Sequence, residues 1–461
     1  MSILNRMLTM GIENYLPGGE LDPEVNPGTL EHDVPNADSF TESLLEVNEA
    51  QQNVEQHEDA IERGFEATEG LEAYANMMAA SLGSRGLDPA TANAVGYGVK
   101  REFSRIGVNH VSVGAEAFSN SATRISVTRT GLEDLREKLK SVWQWLLDLL
   151  EKAISAGEDF YLRVFGAAAN MSKRADGIRS KAQNPSGAKK ENKVDVSTNM
   201  VKALNIGKKI PTGIPGHLGN MQKIAGDVFT NYSKKASEFA EELIDKLADV
   251  DFDDDAKFTA SVAAINLSKP FPLLSEVQPN PRFANDKRFS GNNIKYEFSE
   301  VLLGNYMVVQ RSAIGASGVP SLDRDGANAI AQTRATLVTV HDKEPDYTSG
   351  TYDTMTLEDI ISSCNVIEDI AALLDKFRRG ARAAADLKKK TVKQTKVIKS
   401  KADKAKELDA ANTTAAGQLV KIMGAIPTIV DQPNQKFSSY MLVTCKAVMD
   451  LCELSLAQYK N

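Results

Sequence analysis

The sequence has little of what marks secreted, disulfide-bonded or membrane-spanning proteins. Its three cysteines, Cys364, Cys445 and Cys452, form no CxxC pair and suggest no disulfide framework. No run approaches the roughly 20 apolar residues of a membrane-crossing helix, and the first residues do not resemble a secretory signal. These absences predict a soluble protein that is synthesised in a cytoplasm.

Signatures of catalysis and of bound metals or cofactors are also scarce. The five histidines are scattered, without an HxxxH or HExxH pair, and no glycine-rich phosphate loop occurs. Asp249, Asp251 and Asp253 begin like a calcium loop, but Asp254 replaces its glycine and Ala260 replaces its glutamate ligand. We therefore predict no catalytic residue, no metal site and no cofactor, in a protein that is not an enzyme.

Charge is distributed very unevenly along the chain. The net charge is −8, but residues 1–72 carry 17 acidic side chains against Arg6 and Arg63, which leaves the remainder at +7. Residues 376–407 hold 13 lysines and arginines against three acidic side chains. This asymmetry predicts an acidic N-terminal segment joined to a basic body.

Several segments show the patterns of α-helices. A helix is predicted from about Ser39 to Leu82, and Asp88 before Pro89 is a good start for a second one. The clearest amphipathic helix begins at Thr130, and we expect Gly157 to interrupt it. Its apolar positions recur at three- and four-residue steps: Leu132, Leu135, Leu139, Val142, Leu146, Leu149 and Ile154.

The second half of the chain is more varied. After a basic linker at 184–217, a helix is expected over about 220–248, and aromatic and β-branched residues predict a β-containing insertion at 280–345. Thr356, with Asp359 three residues later, opens a predicted helix that runs to about Ala411. A last helix is predicted from about Gln435 to Tyr459.

Together these patterns predict a mainly α fold, an elongated multi-helix assembly with long C-terminal helices and a small β-containing insertion. Five regions follow from them: an acidic segment and candidate propeptide at 1–72, a helical region at 73–183, a basic linker with helices at 184–269, the insertion at 270–350, and a long basic helix with a C-terminal helix at 351–461.

The basic helix is a candidate polyanion-binding element, because lysine and arginine displace the counterions condensed on nucleic-acid phosphate. A solvated helix face explains the same residues equally well. The candidate residues are Lys376, Arg378, Arg379, Arg382, Lys388, Lys389, Lys390, Lys393, Lys396, Lys399 and Lys401.

The two tryptophans of the chain, Trp143 and Trp145, lie in the amphipathic helix. Leucines at this spacing ordinarily build a helical core, which is the favoured interpretation. The alternative is a membrane-binding or partner-binding helix. Its polar face carries both lysine and glutamate, which weakens the case for an anionic membrane.

These features resemble one family. The acidic N-terminal segment, the helix SVWQWLLDLLEKAI and the lysine-rich stretches NMSKRADGIRSKAQ and KKKTVKQTKVIKSKADKAKEL are similar to those of the internal head proteins of giant, phiKZ-like bacteriophages. The resemblance implies a virion protein that is synthesised in the bacterial host cytoplasm and packaged with double-stranded DNA inside the capsid. It also implies contacts with other virion proteins and delivery with the genome.

Family members are similar in losing a propeptide to a prohead protease that cuts after Ser/Ala/Gly-x-Glu. The pattern fits Gly70-Leu71-Glu72 and Gly114-Ala115-Glu116, so Glu72 and Glu116 are the candidate cleavage residues, although it recurs elsewhere. We expect residues 1–72 to be a flexible acidic tail that masks the basic helix until it is removed. Two other hypotheses stay open: a membrane-remodelling or pore-forming protein built around 130–170, and an enzyme with an unfamiliar site in 270–345.

Overall fold

The computed structural model describes residues 39–107, 121–265, 274–291, 293–314, 329–341, 346–404 and 410–459. Its α-helices are α1 (Ser39–Leu82), α2 (Pro89–Arg105), α3 (Ser121–Gln183), α4 (Thr198–Leu204), α5 (Ile214–Gly226), α6 (Ser233–Ala248), α7 (Asp255–Ala263), α8 (Leu357–Lys376), α9 (Arg378–Lys404) and α10 (Ala410–Leu456). Its strands are β1 (Lys193–Val196), β2 (Ile294–Phe298), β3 (Tyr306–Ala313), β4 (Arg334–Thr339) and β5 (Gly350–Asp353). The mainly α prediction is confirmed.

The helix α3 is the longest helix of the described residues, and other helices pack along it. Its 63 residues span about 95 Å at 1.5 Å per residue, and α1, α8, α9 and α10 pack along it. The apolar stripe that begins at Leu132 is buried, as the periodicity indicates. The predicted boundaries of this helix are wrong, because Thr130 and Gly157 both lie in its interior.

The helix α1 is part of the core. It has the predicted bounds, and its buried face includes Phe40, Leu44, Val47 and Phe65, which join the main apolar cluster. The expectation of a flexible tail over the whole of 1–72 is therefore wrong for residues 39–72, which form a packed helix. Residues 1–38 lie outside the described part of the chain.

The C-terminal helix α10 is much longer than predicted, with 47 residues that include Pro427 and Pro433. A proline inside a helix leaves the carbonyl four residues earlier without its usual N–H donor. For Pro433 that carbonyl belongs to Ile429, and the hydroxyl of Tyr232 donates to it at 2.9 Å. A side chain from a distant segment thus donates the hydrogen bond that the proline cannot supply.

The predicted single helix after Thr356 is divided at Phe377. The start is confirmed, because the Thr356 side chain caps α8 by accepting from the backbone N–H of Asp359 at 3.0 Å. Phe377 lies between α8 and α9, and its ring packs 4.8 Å from that of Phe229 and 5.7 Å from that of Tyr161. The end of the basic segment, 405–409, lies outside the described residues.

The β-containing insertion is confirmed in outline. The strands β2, β3 and β4 form an antiparallel sheet in that order, with its own small core around Phe283, Phe298 and Met307. The segment 184–217 is not only a linker, because β1 pairs antiparallel with β5 and Ser197 caps α4. The helix expected at 220–248 consists of α5, a π-helical segment at 227–232, and α6.

Candidate polyanion surface and processing sites

The basic helix α9 is oriented by a thin buried stripe. Its buried side chains include Ala381, Leu387, Thr395 and Ile398, and α9 packs against α3, α6 and α10. This stripe recurs at steps of three and four residues, so it assigns each charged position to an inner, a lateral or an outer side. The candidate residues consequently divide into three groups.

Lys388 is the one candidate on the inner side. Its ammonium forms an ion pair with the carboxylate of Asp431, and both side chains are buried. Asp431 also accepts from the Tyr161 hydroxyl at 2.6 Å and from Gln435 at 2.8 Å. Burial, with Asp431 beside it, holds the pKa of Tyr161 well above its usual range. Lys388 therefore does not belong to the polyanion surface.

The position of Lys388 carries a signal in the sequence that charge counting misses. It lies seven residues after Ala381 and seven before Thr395, which are both buried, and so it belongs to the packed seam. On the facing helix α3, Gly157 leaves room for it, because a Cβ there would lie 3.3 Å from Nζ of Lys388. Tertiary packing explains why glycine stands inside α3 at this point.

A second group of candidates contacts neighbouring parts of the fold, and three of its members are held by carboxylates of neighbouring helices. Three exposed lysines form such ion pairs: Lys389 with Glu158 at 2.6 Å, Lys396 with Glu151 at 2.6 Å, and Lys390 with Asp245 at 3.0 Å. The hydrogen bond to Glu158 raises the pKa of Lys389 above its usual value. These pairs join α9 to α3 and α6, so much of its charge is compensated inside the molecule.

Three further cations of this second group contact other features of the fold. Arg378 pairs with Asp375 at 2.6 Å, and its guanidinium carbon lies 4.6 Å from the centre of the Phe165 ring. Lys399 lies 5.0 Å above the ring of Trp143, a cation–π contact. Lys401 donates to the backbone carbonyl of Ala248 at 3.0 Å.

The third group, Lys376, Arg379, Arg382 and Lys393, is exposed and forms no ion pair with the described residues. Arg379 and Arg382 are one turn apart, and Lys393 follows Arg382 by 11 residues, about three turns. These three residues therefore share one side of α9 along about 21 Å. We call Arg379, Arg382 and Lys393 the open face.

The two tryptophans contact the rest of the bundle. Trp143 is 4% exposed, its indole N–H donates to Glu72 at 3.2 Å, and its ring meets that of Phe65 edge to face. Trp145 is half-buried and packs against the same core. These contacts favour the core interpretation of the helix. Among the described residues, no helix combines the length and apolarity needed to cross a bilayer.

The two candidate cleavage residues differ in their surroundings. Glu72 lies inside α1, between Trp143 of α3 and Gly417 of α10. The bond after it therefore belongs to a packed helix. Glu116 lies between the end of α2 and the start of α3, outside the described residues.

The aspartates that begin like a calcium loop act as local caps. The Asp254 carboxylate accepts from the backbone N–H of Lys257 at 2.8 Å at the start of α7, and Asp251 accepts from the N–H of Asp253. Over the described ranges, no cluster of three or more His, Cys, Asp or Glu side chains is arranged to hold a metal ion.

Comparison with known protein families gives a match over residues 36–454, to the phiKZ-like phage internal head proteins. The chain belongs to this family. The matched range includes α1 to α9 and nearly all of α10. Neither the comparison with curated proteins nor that with solved structures found a match.

The phiKZ-like internal head protein is thus a structural component of a bacteriophage virion, located inside the capsid. The resemblance inferred from the acidic segment, the tryptophan helix and the lysine-rich stretches is confirmed. The match begins at residue 36, so it includes the acidic helix α1.

Proposed function

We propose that this internal head protein is non-enzymatic and lies against the packaged double-stranded DNA through the open face of α9. The observation that carries the proposal is the line formed by Arg379, Arg382 and Lys393. These three side chains are exposed, whereas neighbouring lysines of α9 form ion pairs with carboxylates of other helices. Contacts with other virion proteins, cleavage by the prohead protease and entry into the host with the genome are further parts of the proposal.

The chemistry of the open face suits phosphate and not bases. Duplex DNA carries one charge per about 1.7 Å of its axis, so about 21 Å of helix faces many phosphates. Base recognition by stacking needs aromatic side chains, and no aromatic residue occurs between Phe377 and Phe437. Binding should therefore be independent of sequence and should weaken steeply with salt.

The test compares two triple variants of the full-length protein with the same change of charge. The first replaces Arg379, Arg382 and Lys393 by glutamine. The second replaces the paired Lys389, Lys390 and Lys396 by glutamine. DNA affinity is measured for each by fluorescence anisotropy across a range of salt concentrations.

We expect the open-face variant to lose affinity and to reduce the slope of log affinity against log salt by about 0.9 for each phosphate contact removed. The paired-lysine variant should keep most of its affinity, because its ammonium groups are held by carboxylates. Equal losses in both variants would show that total charge, not the open face, controls binding. Wild-type affinity that does not change with salt would contradict the proposal.

For maturation, we propose that the folded chain is cut after Glu116 and not after Glu72. The backbone after Glu72 is helical and packed between α3 and α10, so cutting there requires α1 to unfold locally. Mass spectrometry of the protein from virions should find a new N-terminus at Ala117. An N-terminus at Ala73, or an uncut chain, would overturn this part of the proposal.

Entry into the host has its own test. Labelled virions should deliver the protein into infected cells together with the genome. Retention of all the label in emptied capsids would contradict this part alone, since it leaves DNA contact inside the head unaffected.

A further inference from the structure

The helix α1 is bound by two other helices of the bundle. On one side it packs against α3, where the side chain of Leu146 fills the space beside Gly64. On the other it packs against α10, and α2 accompanies it because the Tyr74 ring occupies the space beside Gly98. The acidic helix and α2 therefore form one unit that faces the α3 and α10 surfaces.

The contacts between α1 and α10 define one antiparallel register. In order along α1, they are the hydrogen bond of Glu58 with Gln432 at 3.0 Å, the close approach of Phe65 to Gly424, the ion pair of Glu69 with Lys421 at 2.9 Å, and the close approach of Glu72 to Gly417. Steps of 7, 4 and 3 residues towards the C-terminus of α1 match steps of 8, 3 and 4 residues towards the N-terminus of α10. Polar and apolar contacts thus agree on a single alignment over four turns.

Two glycines of α10 form notches for side chains of α1. A Cβ at Gly424 would lie 1.9 Å from the Phe65 ring, and a Cβ at Gly417 would lie 2.6 Å from a carboxylate oxygen of Glu72. Real Cβ atoms do not approach so closely, so only glycine admits these side chains without a shift. Glycine inside a helix is less favourable than alanine, and at these two positions it permits the close packing of α1.

The helices α3 and α10 form a groove that holds α1. The helix α3 donates a hydrogen bond to α1 near each end of this contact. The Asn170 side chain donates to Ser43 Oγ at 2.9 Å near the start of α1, and the Trp143 indole donates to Glu72 farther along. Between them the apolar face of α1 is buried in the core shared with α3 and α10. The groove therefore recognises an acidic amphipathic helix by its apolar face, its phenylalanine and its carboxylates.

We propose that the groove between α3 and α10 is a binding site for an acidic amphipathic helix, occupied by α1, and that it retains α1 and α2 when the chain between α2 and α3 is cut. Scission there would then produce a two-piece protein and would not release the acidic helix. The proposal rests on the contacts of the fold and holds whether or not the prohead protease cuts after Glu116.

The experiment uses the full chain, into which a thrombin recognition sequence flanked by Gly-Ser spacers is inserted within residues 108–120, between α2 and α3. Complete cutting is established on a denaturing gel. The cut protein is then passed through a size-exclusion column in native buffer and, separately, in denaturant. We expect the two fragments to elute together in native buffer and apart in denaturant. Separation in native buffer would overturn the proposal.

A matched pair of glycine variants tests whether the notches are responsible. Gly424→Ala places a methyl group against the Phe65 ring, whereas Gly166→Ala places one in open space on α3. With Gly424→Ala, retention of the N-terminal fragment should weaken by about tenfold or more, as expected for overpacking. Gly166→Ala should retain it as the wild type does. Unchanged retention with Gly424→Ala would exclude the notch as the basis of binding.

Fragment retention can be measured independently of the DNA and protease assays. Fragments that separate while DNA binding persists would defeat this inference and leave the proposed function intact. Fragments that stay together in a protein without DNA affinity would support this inference and contradict the proposed DNA contact.

Discussion

The helices α1 and α9 carry opposite charge, and the fold uses that charge in different ways. Four acidic side chains of α1, Glu46, Glu58, Glu69 and Glu72, contact α3 or α10, and its buried face consists mainly of apolar side chains such as Phe40 and Phe65. The basic side chains of α9 include a buried ion pair through Lys388 and lateral pairs to α3 and α6. Most acidic side chains of α1 are exposed, whereas α9 has one cation buried in the core and three more paired with carboxylates of α3 and α6.

This contrast shows that a count of charges in a sequence does not measure accessible charge. Residues 376–407 contain 13 basic side chains, but among the described residues the open face consists of Arg379, Arg382 and Lys393. Conversely, residues 39–72 of the acidic segment belong to the packed helix α1. Four predictions test this comparison.

The largest effect is expected where charge on α9 is buried. Replacing Lys388 by methionine leaves the Asp431 carboxylate buried without its cation, which should lower the free energy of unfolding by about 3–5 kcal/mol. Urea denaturation measures the change. Adding Asp431→Asn to the variant should recover part of the loss, because the uncompensated charge is then removed.

The matched control is Lys393→Met, which changes an exposed lysine in the same helix. Its effect should remain within about 0.5 kcal/mol. If Lys388→Met were no more destabilising than this control, the buried ion pair would not stabilise α9 in the bundle.

A smaller effect is expected at the contact between α1 and α3. Trp143→Phe removes the indole N–H that donates to Glu72 and part of the contact with Lys399. The loss should be about 1–2 kcal/mol, measured in the same way. Trp145→Phe is the control, because its indole N–H has no partner in the described part of the chain, and equal losses would contradict the assigned role of Trp143.

The third prediction concerns pH. Burial raises the pKa of Glu58, while Lys436, Lys388 and Arg334 oppose that rise. The folded state therefore keeps a proton that the unfolded state has already released, and stability falls as pH rises from the unfolded pKa to the folded one. Removing the titrating group should stabilise the protein above this window and have little effect below it.

The variant Glu58→Gln can keep the contact with Gln432 and tests this expectation by thermal unfolding at pH 4 and pH 8. Its stabilisation should be present at pH 8 and small at pH 4. The exposed Glu62→Gln on the same helix is the control. A stabilisation by Glu58→Gln that is the same at both pH values would refute a role for its titration.

The smallest effect is expected for a lateral pair of α9. Lys396→Gln removes the pair with Glu151 and should cost about 0.2–1 kcal/mol at low salt. Because both groups are exposed, high salt should remove most of the difference. Lys393→Gln, without a carboxylate partner among the described residues, should show neither effect, and a Lys396→Gln loss that persists in high salt would argue against a screened surface pair.

The sequence by itself determined the elements whose signals are local. Asp88 before Pro89 starts α2, and Thr356 with Asp359 starts α8, because each cap bond closes within three residues. The burial of the stripe from Leu132 followed from helical periodicity alone. The family resemblance, which depends on composition and short segments, was also recognisable from the sequence.

Tertiary structure alone decided where two chain segments far apart must meet. The helix α10 continues through Pro433 because Tyr232 satisfies the carbonyl of Ile429, and no pattern near the proline reveals that donor. Lys388 is buried because Asp431, 43 residues away, supplies its counter-charge. Hydrogen bonds and ion pairs of this kind depend on the approach of separate helices, so local sequence determined the helices and the bundle determined which of their charges stay exposed.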